Sequence, residues 1–296
     1  MQNPSERLTA EPADRGPYLT PYELAFGDAA FESRVFPEVL REAEAAGEDP
    51  ARWDRFGFLG RVGEALRELV PPDAPYEMLQ EYRSLFFHAF NFWRFGRRLF
   101  ALDAGVARYL VEASPGLDGW EFEPPHPSIY VQLPPRLFWA SIATDAAPEP
   151  VDGFFVTMAR GHDPLGPAYG DLNVLMVLGV RRDRAGFSVI PFDTEVGPGI
   201  PSSWLEAPGR EGAADFANIL PGGEIAGLYS ILTNTEALKL VARILWYIHA
   251  SPGLVRPQSP AERRTEDRTG SVPLSRLPFQ RLCLDDPGIT PDGPTG

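Results

Sequence analysis

Late in the chain, Leu238, Val241, Ile244, Leu245 and Ile248 recur at spacings of three and four. That period lays one apolar stripe along an α-helix. Thr233 and Glu236 stand ahead of the stripe at capping-box spacing, and Ser251-Pro252-Gly253 stops it. Burying such a stripe contributes about 1.5–3 kcal/mol per large side chain before entropy is charged, so the pattern predicts a late amphipathic helix docked on a sheet. The same period governs residues 17 to 116. Phe31, Val35, Val39 and Leu40 predict a short helix, interrupted or restarted at Pro37 and closed by Gly47. Asp49-Pro50 opens a helix to about Val70 with the stripe Trp53, Phe56, Leu59, Val62, Leu66 and Leu69, ended by Pro71-Pro72. Asp73-Ala74-Pro75 opens another, running from about Tyr76 to Phe95.

After Gly116 the period shortens. Ser128 to Leu133, Gly153 to Met158, Leu172 to Val180 and Phe187 to Ile190 are β-branched or aromatic runs bounded by Pro, Gly or Asp. Val174-Leu175-Met176-Val177-Leu178 is apolar without alternation, as in a strand covered on both faces. Arg181 to Gly186 reads as a polar hairpin loop, which makes successive strands antiparallel. Pro191 to Gly223 is rich in Pro and Gly and reads as a long loop of the kind that is often functional. Beyond residue 254 the core material thins to Val272, Leu274, Leu277, Phe279 and Leu282, enough for one terminal strand.

These elements predict an α+β fold: an N-terminal helical layer, a mainly antiparallel sheet from about 126 to 192, and a late amphipathic helix packed on that sheet. The expected organisation is a disordered N-terminus (1–19), a single α+β domain (20–283) and a disordered tail (284–296). Within the domain the helical part covers about 20–116, and the sheet with the late helix covers about 126–283.

Composition narrows the function. The 296 residues carry 27 Lys and Arg against 41 Asp and Glu, a net charge of −14. Such a chain is repelled by phosphate backbones, so nucleic-acid binding over the whole surface is disfavoured; an Arg-rich tail (Arg256, Arg263, Arg264, Arg268, Arg276) is the one local alternative. No stretch approaches the roughly 18 apolar residues of a membrane span, and the first residues lack a signal-peptide pattern. With Cys283 as the single cysteine, no internal disulfide forms, so a cytoplasmic setting is expected. Four histidines and one cysteine leave little zinc-ligating material. Neither a metal nor a cofactor is expected, because phosphate-loop, dinucleotide, zinc and nucleophile-elbow motifs are all missing.

Three sets of residues remain as candidates. Phe86 to Phe95 holds six aromatics in ten residues. It is either a core helix or a partner-binding surface anchored by Phe92 or Trp93. Arg94, Arg97 and Arg98 follow, suited to the negative end of a helix or to an anionic partner. Gly161-His162-Asp163-Pro164, in a loop continuing to Tyr169-Gly170-Asp171, offers His162 as a general base with Asp163 or Asp171 as orienter; the same residues also make ordinary turns.

The order of elements resembles an uncharacterised group of bacterial and phage-associated proteins of similar length. The matching pieces are His126-Pro127-Ser128-Ile129-Tyr130-Val131, Val151-Asp152-Gly153-Phe154-Phe155-Val156, the apolar strand at 172–180, and the helix end Tyr247-Ile248-His249-Ala250-Ser251-Pro252. The resemblance spans about residues 85–280 and implies no activity or catalytic residue. This chain departs from the group in its longer N-terminal helical part and its Pro-rich loop at 191–223. The leading expectation is a cytosolic binding or regulatory protein, phage- or defence-related in context. It would act through an unidentified protein partner or self-association. The rival is a hydrolase or transferase using His162 and Asp163 or Asp171 on an anionic substrate held by Arg94 or Arg97.

Overall fold

The computed structural model describes residues 16–27, 30–47, 58, 76–112, 125–142, 146–159, 170–183, 186–196, 230–260 and 273–284. The fold is α+β. Helices α1 (Pro21–Phe26), α2 (Phe36–Ala45, continuing a π-helical turn Phe31–Val35) and α3 (Tyr76–Arg94) come first. Strand β1 (Arg98–Leu102) and helix α4 (Ala104–Glu112) follow, then β2 (Ser128–Gln132), β3 (Phe138–Ala140), β4 (Glu149–Ala159), β5 (Gly170–Arg181), β6 (Gly186–Val196) and β7 (Ser230–Ile231). Helix α5 (Asn234–Ala250) and strands β8 (Val255–Gln258) and β9 (Phe279–Leu282) complete the order. Among the described residues, no helix is long and apolar enough to cross a membrane.

The main sheet runs β6-β5-β4-β2-β1-β9-β8, with β3 paired to β4 and β7 paired to β3. Strands β2, β4, β5 and β6 are antiparallel neighbours, and the four residues 182–185 between β5 and β6 are too few for the crossover that a parallel pair needs. The centre differs: β1 pairs in parallel with both β2 and β9. Parallel partners need a crossover, and α4 lies in the connection from β1 to β2. Sequence patterning placed 98–102 in the helical part, but these residues form a strand. Leu99, Phe100 and Leu102 are buried against opposite faces of the sheet, and so short a segment shows no period that separates strand from helix.

Helices cover both faces, and the strands deal alternate side chains to them. Phe154, Val156, Val174, Met176 and Leu178 join the core beneath α4 and α5. Tyr130, Phe155, Leu175 and Val177 join the aromatic core beneath α1, α2 and α3. This is why residues 174–178 are continuously apolar. The aromatic run of α3 is core: Phe86, Phe87, Phe90 and Phe92 are buried, and Phe58, from the segment expected to be helical, sits in helical conformation against Phe86, Phe87 and Phe90. The rest of the helix expected over 49–70 lies outside the described residues.

Both capping boxes close. Thr233 Oγ1 accepts from Glu236 N–H while the Glu236 carboxylate accepts from Thr233 N–H at 2.9 Å. Thr20 and Glu23 do the same for α1. The Glu23 carboxylate also accepts from Ser275 Oγ and Arg276 N–H, each at 2.8 Å, so one side chain caps a helix and holds residues 275–276 against it. Two other expectations change. Pro191 to Val196, assigned to the long loop, extends β6, so Asp193 and Thr194 are strand residues. The C-terminal part supplies two strands, and β9 lies beside β1 inside the sheet.

Candidate functional site

Helix α3 ends in a Schellman turn. Gly96 takes φ +86°, Arg97 N–H donates to Phe92 O at 2.7 Å, and Gly96 N–H donates to Trp93 O at 3.1 Å. Arg97 is also left-handed, with φ +53°. That conformation costs a side-chain-bearing residue about 1–2 kcal/mol. Its guanidinium is held by Glu32, Nη1 lying 2.9 Å from both carboxylate oxygens. Tyr22 donates to the same carboxylate at 2.5 Å, and burial, with Glu32 next, raises the Tyr22 phenol well above its usual value. The chain therefore reverses sharply and enters β1 with Arg98 exposed at its first position.

Across from this reversal, the end of β8 and the start of β9 close a cleft of about 360 Å³. Arg98, Gln258, Ser259, Phe279 and Gln280 line it, with the backbone of Gly96. No acidic side chain is among the described residues lining it. His126, at the approach to β2, has its ring 6.1 Å from Phe100; burial and then the charge of Arg98 lower its pKa. The described lining thus combines two cations, Arg97 paired with Glu32 and the exposed Arg98, with uncharged donors and acceptors.

The expected site residues separate. Phe92 is fully buried, its ring 5.2 Å from Tyr22 and 5.6 Å from Phe155, so it presents nothing to a partner; this corrects its reading as an anchor. Trp93 is half-buried on Phe36 at 5.4 Å and Phe90 at 6.2 Å, held by the core. Arg94 stacks over Phe95 at 4.9 Å. Arg97, its side chain 40% exposed, is committed to Glu32, while the exposed Arg98 has no such ion pair among the described residues. Asp171 is not in a loop: it is the second residue of β5, between Ala159 and Glu195, and its carbonyl accepts from Asn173 at 3.2 Å. His162 and Asp163 lie outside the described residues.

Two buried polar groupings gave no sequence signal. His88 Nδ1 lies 2.9 Å from Thr157 Oγ1, which lies 3.1 Å from Ser128 Oγ, all three residues buried. Asp152 accepts from Tyr130 at 2.6 Å and from Gln132 at 3.3 Å, and pairs with Arg182. Arg182 also donates to Leu19 O and covers the Tyr18 ring, while Gln132 exchanges hydrogen bonds with the Tyr18 backbone. This network binds the N-terminal segment to the β5–β6 end of the sheet, a structural role. Gln258, Ser259 and Gln280 were also missed; they are far apart in sequence from Arg98, and nothing local marks them.

No model of a known protein family matches the chain, and no curated protein sequence matches it. Among solved structures, the crystal structure of AcrVA2 is similar over 88% of this chain and 81% of that one, at 12% identity and a TM-score of 0.42. A likeness that distant carries no argument about what this chain does.

Proposed function

We propose that the protein is a binding or regulatory protein that acts through contacts with another protein. The observation that supports this best is the cleft beside the outer strand β8, which the exposed Arg98 lines together with Gln258, Ser259 and Gln280. Amides, a hydroxyl and one guanidinium suit recognition of a polypeptide surface. They form no acid–base pair poised for proton transfer. The phage- or defence-related context implied by the sequence resemblance belongs to the same proposal.

A photo-crosslinking residue at Gln258 on the cleft rim tests it, with the exposed Glu38 on α2 as control position. A discrete, saturable crosslinked species at Gln258 and none at Glu38 is expected in host lysate. A strictly monomeric protein with no crosslink at either position overturns the binding role. Plating efficiency of phage on cells expressing the chain tests the context; no change removes it.

A further inference from the structure

Arg97 and Arg98 meet the same acidic chain in different ways. Arg97 is neutralised by Glu32, whereas the exposed Arg98 has no ion pair or hydrogen bond from its side chain among the described residues. In a protein with 14 more negative than positive charges, carboxylates are abundant, yet among the described residues none lines the cleft that Arg98 lines. The described lining has cations, Arg97 and Arg98, and acceptors and donors from Gln258, Ser259 and Gln280. A volume of about 360 Å³ is enough for a few residues of an extended chain and lies within the range of ligand clefts.

The neighbouring strand sets the mode of binding. Cys283 N–H donates to Leu254 O at 3.2 Å, which fixes which β8 residues face β9. By alternation, position 257 turns its backbone outward. Proline there has no N–H to offer an incoming strand. A partner at this edge is therefore read by side chains rather than by strand addition.

Resting on the binding role above, we infer that the cleft formed by Arg98, Gln258, Ser259 and Gln280 receives an acidic, extended peptide segment of the partner. Arg98 pairs with a carboxylate of that segment, and Gln280, on the same face of the sheet as Arg98, bonds a peptide group beside it. The guanidinium's planar fork matches a carboxylate in two parallel hydrogen bonds.

The test is fluorescence anisotropy on the full chain with a labelled eight-residue peptide alternating Glu and Ser, against its Gln-Ser counterpart. The acidic peptide is expected to bind about tenfold more tightly or better, the scale of one charge-assisted hydrogen-bonded pair. Arg98→Gln should reduce it to the level of the Gln-Ser peptide, Arg98→Lys should restore part of the difference, and Arg34→Gln, at an exposed site on the π-helical turn, should leave it unchanged. Equal binding of both peptides, or an acidic-peptide affinity untouched by Arg98→Gln, overturns the inference. So does tighter binding of a single-stranded RNA oligonucleotide through the same arginine. The two proposals fail separately. A crosslinked partner captured equally by the wild type and Arg98→Glu keeps the binding role and removes the acidic segment. Arg98-dependent peptide binding with no crosslinked partner keeps the cleft's chemistry and removes the binding role.

Discussion

Pro191 and Pro257 occupy equivalent positions on the two outer strands of the main sheet, each at a register point where the backbone nitrogen turns away from the neighbouring strand. For Pro191 the alternation runs through the sheet. Met158 N–H bonds Pro127 O and Leu133 N–H bonds Asp152 O, so even-numbered β4 residues face β2 and odd ones face β5. Even-numbered β5 residues then face β6, leaving the Leu175–Pro191 pair unbonded. Proline on an outer strand withholds a donor from any chain that would add there. Replacing both, Pro191→Thr with Pro257→Thr, is expected to increase concentration-dependent self-association. Size-exclusion chromatography with light scattering checks this; an unchanged elution mass would show that the prolines do not guard these edges.

Asp152 is the hub of the network that ties the N-terminal segment down. Its side chain and that of Arg182 are only 10% and 12% exposed. Asp152→Ala leaves the Arg182 charge and the Tyr130 hydroxyl without their carboxylate. A loss of about 3–5 kcal/mol is expected, as for other buried pairs broken from one side. Urea denaturation measures it, and amide exchange should quicken at Tyr18, whose N–H donates to Gln132 in the same network.

Gly153 lies where the β4–β5 register shifts, and a Cβ added there would come within 2.1 Å of Val131 O and 3.0 Å of the Tyr130 hydroxyl. The first of these is backbone and cannot swing aside. Gly153→Ala is expected to cost at least the roughly 1–3 kcal/mol typical of overpacking. Gly186→Ala, where a Cβ meets nothing within 4 Å, serves as the control and should be neutral or gain a few tenths. Equal denaturation midpoints for the two variants would refute the clash.

Glu23 and Glu236 close identical capping boxes but hold different amounts of structure. Glu236→Ala removes the reciprocal, exposed bond of the capping box and leaves the Thr233 cap, so it is expected to cost no more than the roughly 0.5–1.5 kcal/mol of one hydrogen bond. Glu23→Ala also releases Ser275 and Arg276, so its cost should be larger. Hydrogen exchange at Arg276 N–H should rise in that variant alone.

Buried phenols set the alkaline limit of stability. Burial, then nearby groups, pushes the Tyr247 pKa up to about 12, and burial with Asp152 raises Tyr130 well above its usual value. A raised folded-state pKa means that the native state holds the proton more tightly than the unfolded chain does. The resulting stability is fully present below about pH 10 and is lost as pH rises through the folded values. His126 acts in the opposite direction. Its lowered pKa favours the neutral ring in the native state, so stability falls as pH drops below about 6.5. Denaturation midpoints from pH 5 to 12 should therefore decline at both ends, and a native protein whose tyrosines all ionise near pH 10 without unfolding would contradict the alkaline arm.

Local chemistry made much of the framework readable. Thr233 and Glu236 predicted the start of α5, Asp73-Ala74-Pro75 the start of α3, and the unbroken apolar run 174–178 a strand with helices on both sides, because capping and periodicity depend on neighbours a few residues apart. Tertiary packing decided the rest. Residues 98–102 look like more helix until β2 and β9 flank them, and Phe92 looks like a surface anchor until Tyr22 and Phe155 enclose it. The candidate cleft was legible only in its arginines: which of Arg94, Arg97 and Arg98 stays free depends on Glu32, more than sixty residues away, and on Gln258 and Gln280, brought to Arg98 by β-strand pairing. Spacing along a chain encodes the repeat of a helix or strand, but not which distant segment comes to lie beside it, since that is set by the burial of the whole core.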